Sequence, residues 1–509
     1  MKLRPILCPW PRRLMTLSRV CLRPWREYRL LSCVFLCSGI ILSDPGQLAA
    51  QDANYWTADY GPGGFLTPGS VIAYNRDSGV FFYNPALLAY TNRNSASITG
   101  NLYQFESINI QNAVGSGLNL SSSNASIIPI MGAGSIAIHG AKPFVIGYAL
   151  IRDPVSTFQA TQRKDAVFNV LNDSYSPGPE YFVGQYSLQN QITETSALLS
   201  IGFKLNSAFS AGFTAEGQVR KQTFNEQFSS RALYNSGTDT LFPPVASVQQ
   251  DYLATYTHAG VRFKGGLSYN ASGHHAGLMI TSPLLHVYGK GTLYADDEIN
   301  DLRILGTTLD LLANTRQTGL KARWKIPMSL GLGYAYDYSS RGQVYVAAEY
   351  FQKVSDYSVM VPKSSYFIRP DTGDINASTT SLLRFKDAHK SLVNFAVGLS
   401  FPINPTVLGF CSVRSDFTYA DKSLFANDDG HVANTSDWNI WHMQAGANLK
   451  KRKFNLRAGL LLSYGTTGKY MQPLNFDDPN EENNLLGDPH NVRASRFAAG
   501  LLFSYIHNL

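Results

Sequence analysis

Strict alternation of apolar and polar residues is the strongest signal along this chain. From Phe209 the odd positions read Phe209, Ala211, Phe213, Ala215, Gly217 and Val219, and the even ones Ser210, Gly212, Thr214, Glu216, Gln218 and Arg220. The pattern returns with Trp441, Met443, Ala445, Ala447 and Leu449 against His442, Gln444, Gly446, Asn448 and Lys450. It returns again with Phe454, Leu456, Ala458, Leu460, Leu462 and Tyr464 against Asn455, Arg457, Gly459, Leu461 and Ser463. A period of two puts successive side chains on opposite faces of a strand, so each segment has one apolar face and one wet face.

Alternation alone fits a soluble sandwich and a membrane barrel equally; connection lengths separate them. Clusters of Gly, Pro, Asn and charge mark six tight turns: Gly140 to Pro143, Asn206-Ser207, Asn270 to Gly273, Tyr338 to Gly342, Pro402 to Pro405 and Lys450 to Lys453. Longer polar stretches lie between them, at about 112–125, 154–192, 222–252, 289–316, 356–390, 421–437 and 467–493. Short and long connections alternate strictly. That predicts an all-β fold, a transmembrane antiparallel β-barrel of about 14 strands with both ends on the short-turn side and the long loops extracellular. No later stretch reaches the roughly 18 apolar residues of a membrane-crossing helix. The final strand reads Phe497, Ala499, Leu501, Phe503 and Tyr505 outward and Arg496, Gly500 and Ser504 inward, ending on Leu509 where such barrels often place an aromatic residue. The same parity turns Glu216, Arg220, Arg262, Lys264, Glu349 and Arg457 toward the lumen, to pair across it and help hold a plug.

The first fifty residues break the pattern. Lys2, Arg4, Arg12, Arg13, Arg19, Arg23, Arg26 and Arg29 precede an apolar run from Leu30 to Leu42, followed by Ala49 and Ala50. A basic region, a short apolar core and small residues before a cleavage point make 1–50 a signal peptide. Leu30-Leu31-Ser32-Cys33 looks like a lipid-attachment box, but its apolar core follows the cysteine instead of preceding it. Removing 1–50 takes away eight basic and two acidic side chains, so a formal charge of +7 falls to +1. No basic stripe is left for nucleic acid. Four of the five cysteines leave with the leader, and Cys411 stands alone, so neither a disulfide nor a CxxC metal site is expected. The composition, rich in Gly, Tyr and Phe and 16% charged, suits sheet more than helix.

Residues 51–93 are read as a compact N-terminal plug, or hatch, and 94–509 as the barrel. Gly61, Pro62, Gly63, Gly64 and Pro68 argue for irregular backbone, and the run Val80-Phe81-Phe82-Tyr83-Asn84-Pro85-Ala86-Leu87-Leu88-Ala89 follows. Tyr83-Asn84-Pro85-Ala86, preceded by Asp77-Ser78-Gly79 and followed by apolar residues, resembles the aromatic-Asn-Pro-Ala element of the FadL-type family of outer-membrane transporters for long-chain fatty acids and other hydrophobic compounds. The resemblance covers this element and the architecture. It implies a plug inside fourteen strands and passive transport in the bacterial outer membrane. From the residues alone, Asn84-Pro85 reads as a cap and first turn of a short helix.

Catalytic and metal motifs are absent. The histidines form neither H-E-x-x-H nor a Cys/His spacing, His274-His275 sits at a turn, and no G-x-S-x-G occurs. Gly61-Pro62-Gly63-Gly64 lacks the context of a phosphate loop. No cofactor or metal is expected. In 289–316, Ile299, Leu302, Leu305, Leu309 and Leu312 recur at helical spacing after Asp296-Asp297-Glu298, which predicts an amphipathic helix. The resemblance makes its apolar face a groove for a hydrophobic ligand; a helix simply shielding the barrel mouth is the alternative. Asp477, Asp478, Glu481, Glu482 and Asp488 read as a solvated acidic loop. The leading expectation is an exported barrel, not an enzyme, whose partners are a small hydrophobic ligand and outer-membrane lipids. A docking or shuttle partner in protein secretion or surface assembly, and a lipid-modifying enzyme with a Ser or His cluster at the rim, are the other classes.

Overall fold

The computed structural model describes residues 53–57, 72–74, 80–91, 94–140, 142–152, 156–235, 243–304, 307–370, 379–425, 429–451 and 453–508. Residues 1–50, expected to be a signal peptide, and most of 51–79 with its glycine-proline run lie outside the described residues.

Seventeen strand segments form one sheet that closes on itself, the first segment pairing with the last. Three pairs of segments are halves of interrupted strands, so the barrel has fourteen antiparallel strands. They are β1 (Ser95–Ile110), β2 (Leu120–Ile138), β3 (Phe144–Arg152 and Ser156–Phe168), β4 (Glu180–Lys204), β5 (Phe209–Leu233), β6 (Val245–Ala271) and β7 (His274–Thr281 and Leu285–Ile304). The rest are β8 (Thr307–Lys321 and Ser329–Asp337), β9 (Gln343–Phe351), β10 (Leu392–Asn404), β11 (Val407–Asp416), β12 (Asn439–Lys450), β13 (Phe454–Met471) and β14 (Asn491–Asn508). Closure pairs every edge, which an open sheet of this size would leave exposed.

The alternation decides which way each side chain faces. Leu199, Phe213, Phe263, Leu332, Val346, Phe395, Met443, Leu462 and Leu501 are exposed on the outside, while Glu216, Arg220, Lys264, Glu349 and Arg457 are buried within. All six tight turns fall where expected. The tightest, Ser272-Gly273, has positive φ at both residues (54° and 77°), the hairpin geometry whose twist matches the flanking strands.

The long connections are shorter than the sequence suggests, because strands with a polar outer face and an apolar inner one run on past the apolar band. β4, β5 and β6 have 25, 25 and 27 residues, against about 9 to 11 needed to cross a bilayer. β9 has nine. The barrel is therefore lopsided, with a tall wall from β3 to β8 and a low rim from β9 to β12. The segments after β9 and β11 fold back into the lumen beneath that wall. There Val354–Met360, Phe385–His389 and His431–Val432 make a three-stranded sheet. Phe385 packs on Phe224, Tyr252 and Tyr256 of the wall, and Gln222 donates to the Ala433 carbonyl.

Candidate functional site

The lumen holds the residues with functional interest, and two sets of chain segments fill it. At the short-turn end lie 72–74 and two 3-10 turns, Val80–Phe82 and Pro85–Tyr90. Asn84 caps the second turn as its sequence predicts: its side-chain oxygen accepts from Ala86 N, with Pro85 in the first turn. The same side chain does more. It is fully buried, and its amide donates to the carbonyls of Ile72 (2.8 Å) and Leu267 (3.1 Å), tying the turn to its own chain and to β6.

The seat for this segment is built of glycine. Gly147, Gly202, Gly212, Gly266, Gly277 and Gly333 stand on six consecutive strands, β3 to β8. A Cβ at Gly212 would come within 2.3 Å of the Pro85 carbonyl carbon, at Gly266 within 2.1 Å of the Asn84 side-chain oxygen, and at Gly277 within 1.8 Å of the Ile72 carbonyl oxygen. At Gly212 and Gly277 backbone packs on backbone, and at Gly147, Gly266 and Gly333 the side chains of Phe81, Asn84 and Ile72 take the place of a Cβ, an approach that glycine permits. Around the seat, Lys264 donates to the Phe82 carbonyl (2.9 Å) and Ser210 to that of Ala86 (2.9 Å). Glu216 holds Arg262 (2.6 Å) and Lys264 (3.1 Å). Such lumenal charges are expected to pair across the barrel and help hold a plug; Glu216 and Arg220 pair instead with neighbouring strands, Arg220 with Glu194, while Lys264 and Glu349 reach the N-terminal segment at Phe82 and Trp56.

Residues 53–57 reach higher. Trp56 donates its indole N–H to Glu349 (2.7 Å) and its backbone N–H to Asp416 (2.9 Å), and Tyr55 stacks on Phe351 with ring centroids 4.2 Å apart. Tyr55 also meets the hub of the inner loops. His389 Nε2 is 2.6 Å from Asp387, whose carboxylate accepts from Tyr357 (3.0 Å) and Asn434 (2.7 Å), while His389 Nδ1 is 2.7 Å from the Tyr55 hydroxyl. Burial by itself raises the Asp387 carboxyl. The His389 imidazole and the hydrogen bonds from His389, Tyr357 and Asn434 outweigh it and hold the group below the ordinary carboxylate value. An acid, an imidazole and a hydroxyl in line look like catalytic parts, yet Asp387 and His389 have no exposed surface. Their role is to lock two loops and the N-terminal segment together.

Above this hub a cavity of about 230 Å³ lies between the inner face of the wall and the segments after β11 and β13. Tyr186, Leu188, Phe224, Phe425, Tyr470 and Met471 supply its apolar lining, and it reaches the surface beside Lys422.

The predicted ligand groove does not form. Among the described residues of 289–316 there is no helix: 289–304 and 307–316 belong to the upper halves of β7 and β8, with Leu309 opposite Leu302. The helical spacing is a product of phase changes. Asp301, at φ 49°, and a register shift between Leu309 and Leu311 reset the alternation, so Ile299 and Leu302 both face inward three residues apart. Pairing along the long β6 then fixes the strand. Leu302 is fully buried and Ile299 packs against the core, whereas Leu312 is 46% exposed on the outside, and Leu305 lies outside the described residues. The structure brings Tyr83, Asn84, Pro85 and Ala86 together inside the barrel and scatters the leucines. Of the acidic loop, Asp477 is not free: it accepts from Ser116 and pairs with Lys164 at 2.7 Å.

Sequence reasoning missed the glycine seat and the Asp387–His389 hub. The glycines sat in plain view at wet-face positions of successive strands; the hub left no trace, because its members come from three distant segments.

No protein-family model matches this sequence, and no curated protein matches it. Solved structures do resemble it. A Pseudomonas aeruginosa FadL homologue superposes with a TM-score of 0.54 at 12% identity, covering 90% of this chain and 100% of its own. A variant of the monoaromatic hydrocarbon channel TodX gives 0.54 at 12% identity, covering 89% and 99%. The Ralstonia pickettii toluene transporter TbuX gives 0.51 at 10%, covering 89% and 98%. The fold of this chain is that of the FadL-type barrels.

Proposed function

We propose that this chain sits in the bacterial outer membrane and passively conducts small hydrophobic molecules, long-chain fatty acids among the candidates. The observation that carries the reading is the two-sided barrel: an apolar outer face, and a polar inner face on which an N-terminal segment is seated against glycine. Residues 51–93 act as the plug, and Tyr83, Asn84, Pro85 and Ala86 set its geometry. Substrate collects in the cavity under the wall, where Leu188, Phe224 and Met471 offer apolar contact beside the polar Glu226, Asn434 and Asp437. It descends when the inner loops and the plug shift, driven by its own gradient. The channels of like fold named for toluene and other monoaromatic hydrocarbons support apolar cargo in general.

The test is uptake into vesicles carrying the purified mature chain. Influx of toluene or of a fluorescent fatty acid above that of empty vesicles is expected, together with a lower rate when Phe224→Asp places charge in the cavity. Equal influx with and without the protein overturns the reading.

A further inference from the structure

Two neighbouring strands are devoid of acid over most of their length. No Asp or Glu occurs from His274 to Ala295 or from Leu311 to Tyr336, while Lys290, Arg316, Lys321, Arg323 and Lys325 all fall in those stretches. Lys290 and Lys321 stand directly opposite each other in the β7–β8 ladder, and both are exposed. Like charges facing across a strand pair destabilise it unless an anion from outside neutralises them. Arg316, also exposed, lies farther along β8.

Their height on the barrel says which anion. Outward from the short-turn end, β8 exposes Tyr336, Tyr334, Leu332, Leu330 and Met328, and β7 exposes Ile280, Leu285 and Tyr288. The lysine pair is the first charged position in the ladder above them. On β6 the outer face passes from Phe263 and Val261 to Thr257, the residue paired with Lys290. Carboxylates return to this face only at Asp296 and its partner Asp251, about 20 Å farther along the strand. The lysines thus mark the upper edge of the apolar band, beneath the tall wall. At this level the ladder between β7 and β8 is interrupted. β8 turns inward, with Ala322 bridging to Met360 and Arg323 N donating to the Val359 carbonyl. Leu285, Val287 and Tyr288 are left 50%, 64% and 49% exposed as an apolar shelf beside Lys290.

We propose that Lys290 and Lys321, with Arg316 above and the Leu285–Tyr288 shelf below, bind the phosphorylated headgroup of a glycolipid of the outer leaflet. The ammonium groups take the phosphates as point charges, and the shelf lies along an acyl chain. The inference rests on the membrane reading above. Binding of diphosphorylated lipid A to the purified mature chain in detergent, against its dephosphorylated counterpart, tests it. The Lys290→Gln, Lys321→Gln double variant is expected to bind lipid A roughly thirtyfold more weakly. Lys450→Gln with Lys451→Gln, at the short-turn end, binds as the parent does. Undiminished binding by the first variant, equal binding of the dephosphorylated lipid, or full displacement by millimolar inorganic phosphate overturns the site. A parent chain that never inserts into vesicles overturns the membrane reading instead, and the two failures are told apart by that insertion assay.

Discussion

The two ends of the lumen are filled by opposite means. At the short-turn end the wall gives up side chains: six glycines on consecutive strands let residues 72–74 and 80–90 lie against the barrel, and a few hydrogen bonds from Asn84, Ser210 and Lys264 fix them. At the long-loop end the wall keeps large side chains, and the inner loops pack Phe385, Trp438 and Phe476 against Phe182, Phe224, Tyr252 and Tyr256 around a buried Asp387–His389 pair. The first arrangement rests on close fit and a small apolar cluster in which Phe81 and Leu88 meet Met131, Val145, Ile151 and Leu198, the second on a much larger core. A segment that must move is cheaper to release from the first, since local stability follows buried apolar contact.

The sharpest way to break this contrast is Asp387→Ala. Removing one partner of a buried, hydrogen-bonded pair costs about 3 to 5 kcal/mol, and the inner loops should become open to protease while the barrel stays closed. Because the Asp387 carboxyl is held below its ordinary value, its contribution is present above about pH 4 and is lost as pH falls through the folded value. Protease resistance of 352–391 should therefore be flat from neutral pH to about pH 5 and fall below about pH 4, and the fall should shrink in Asp387→Asn.

Leu302→Ala comes next. A fully buried leucine at the tip of the wall costs about 2 to 5 kcal/mol when truncated, read as a lower temperature for loss of the wall's tyrosine fluorescence signature. At the other end Gly212→Val forces a side chain into the Pro85 backbone, an overpacking of about 1 to 3 kcal/mol. It should raise single-channel conductance and expose 80–90 to protease without disturbing the inner loops. Equal loosening of both ends would mean that the lumen is one cooperative unit. Asn84→Ala leaves two carbonyls without their donor and costs about 1 to 3 kcal/mol, with the same but weaker conductance change. Leu312→Ala, facing outward, should change stability by less than about 0.5 kcal/mol; a larger loss would restore the leucines to a common site.

The barrel was legible because each strand states its own two faces. The strand count, all six tight turns, the lumenal set Glu216, Arg220, Arg262, Lys264, Glu349 and Arg457, and the outward register of Phe497 and Leu501 follow from local alternation. Residues 289–316 mislead for the complementary reason. The shift at Asp301 broke the alternation, and three-residue spacing across a shift cannot be told from a helix turn within one segment. The upper halves of β4, β5 and β6 read as loops because the alternation reverses its phase there: the outer face turns polar and the apolar residues Phe182, Tyr186, Phe224, Val248 and Tyr252 point inward, packed under the inner loops.

By itself, then, the sequence determined the closed sheet, its two faces and the capped turn at Asn84, all of which depend on residues a few positions apart. Tertiary structure alone decided the contents of the lumen. Gly212 means little until Pro85 is seen against it, and Asp387 reads as a loop carboxylate until His389, Tyr357 and Asn434 surround it. Those partners lie up to 127 positions away, from Pro85 to Gly212, and no local pattern records a contact that only barrel closure creates.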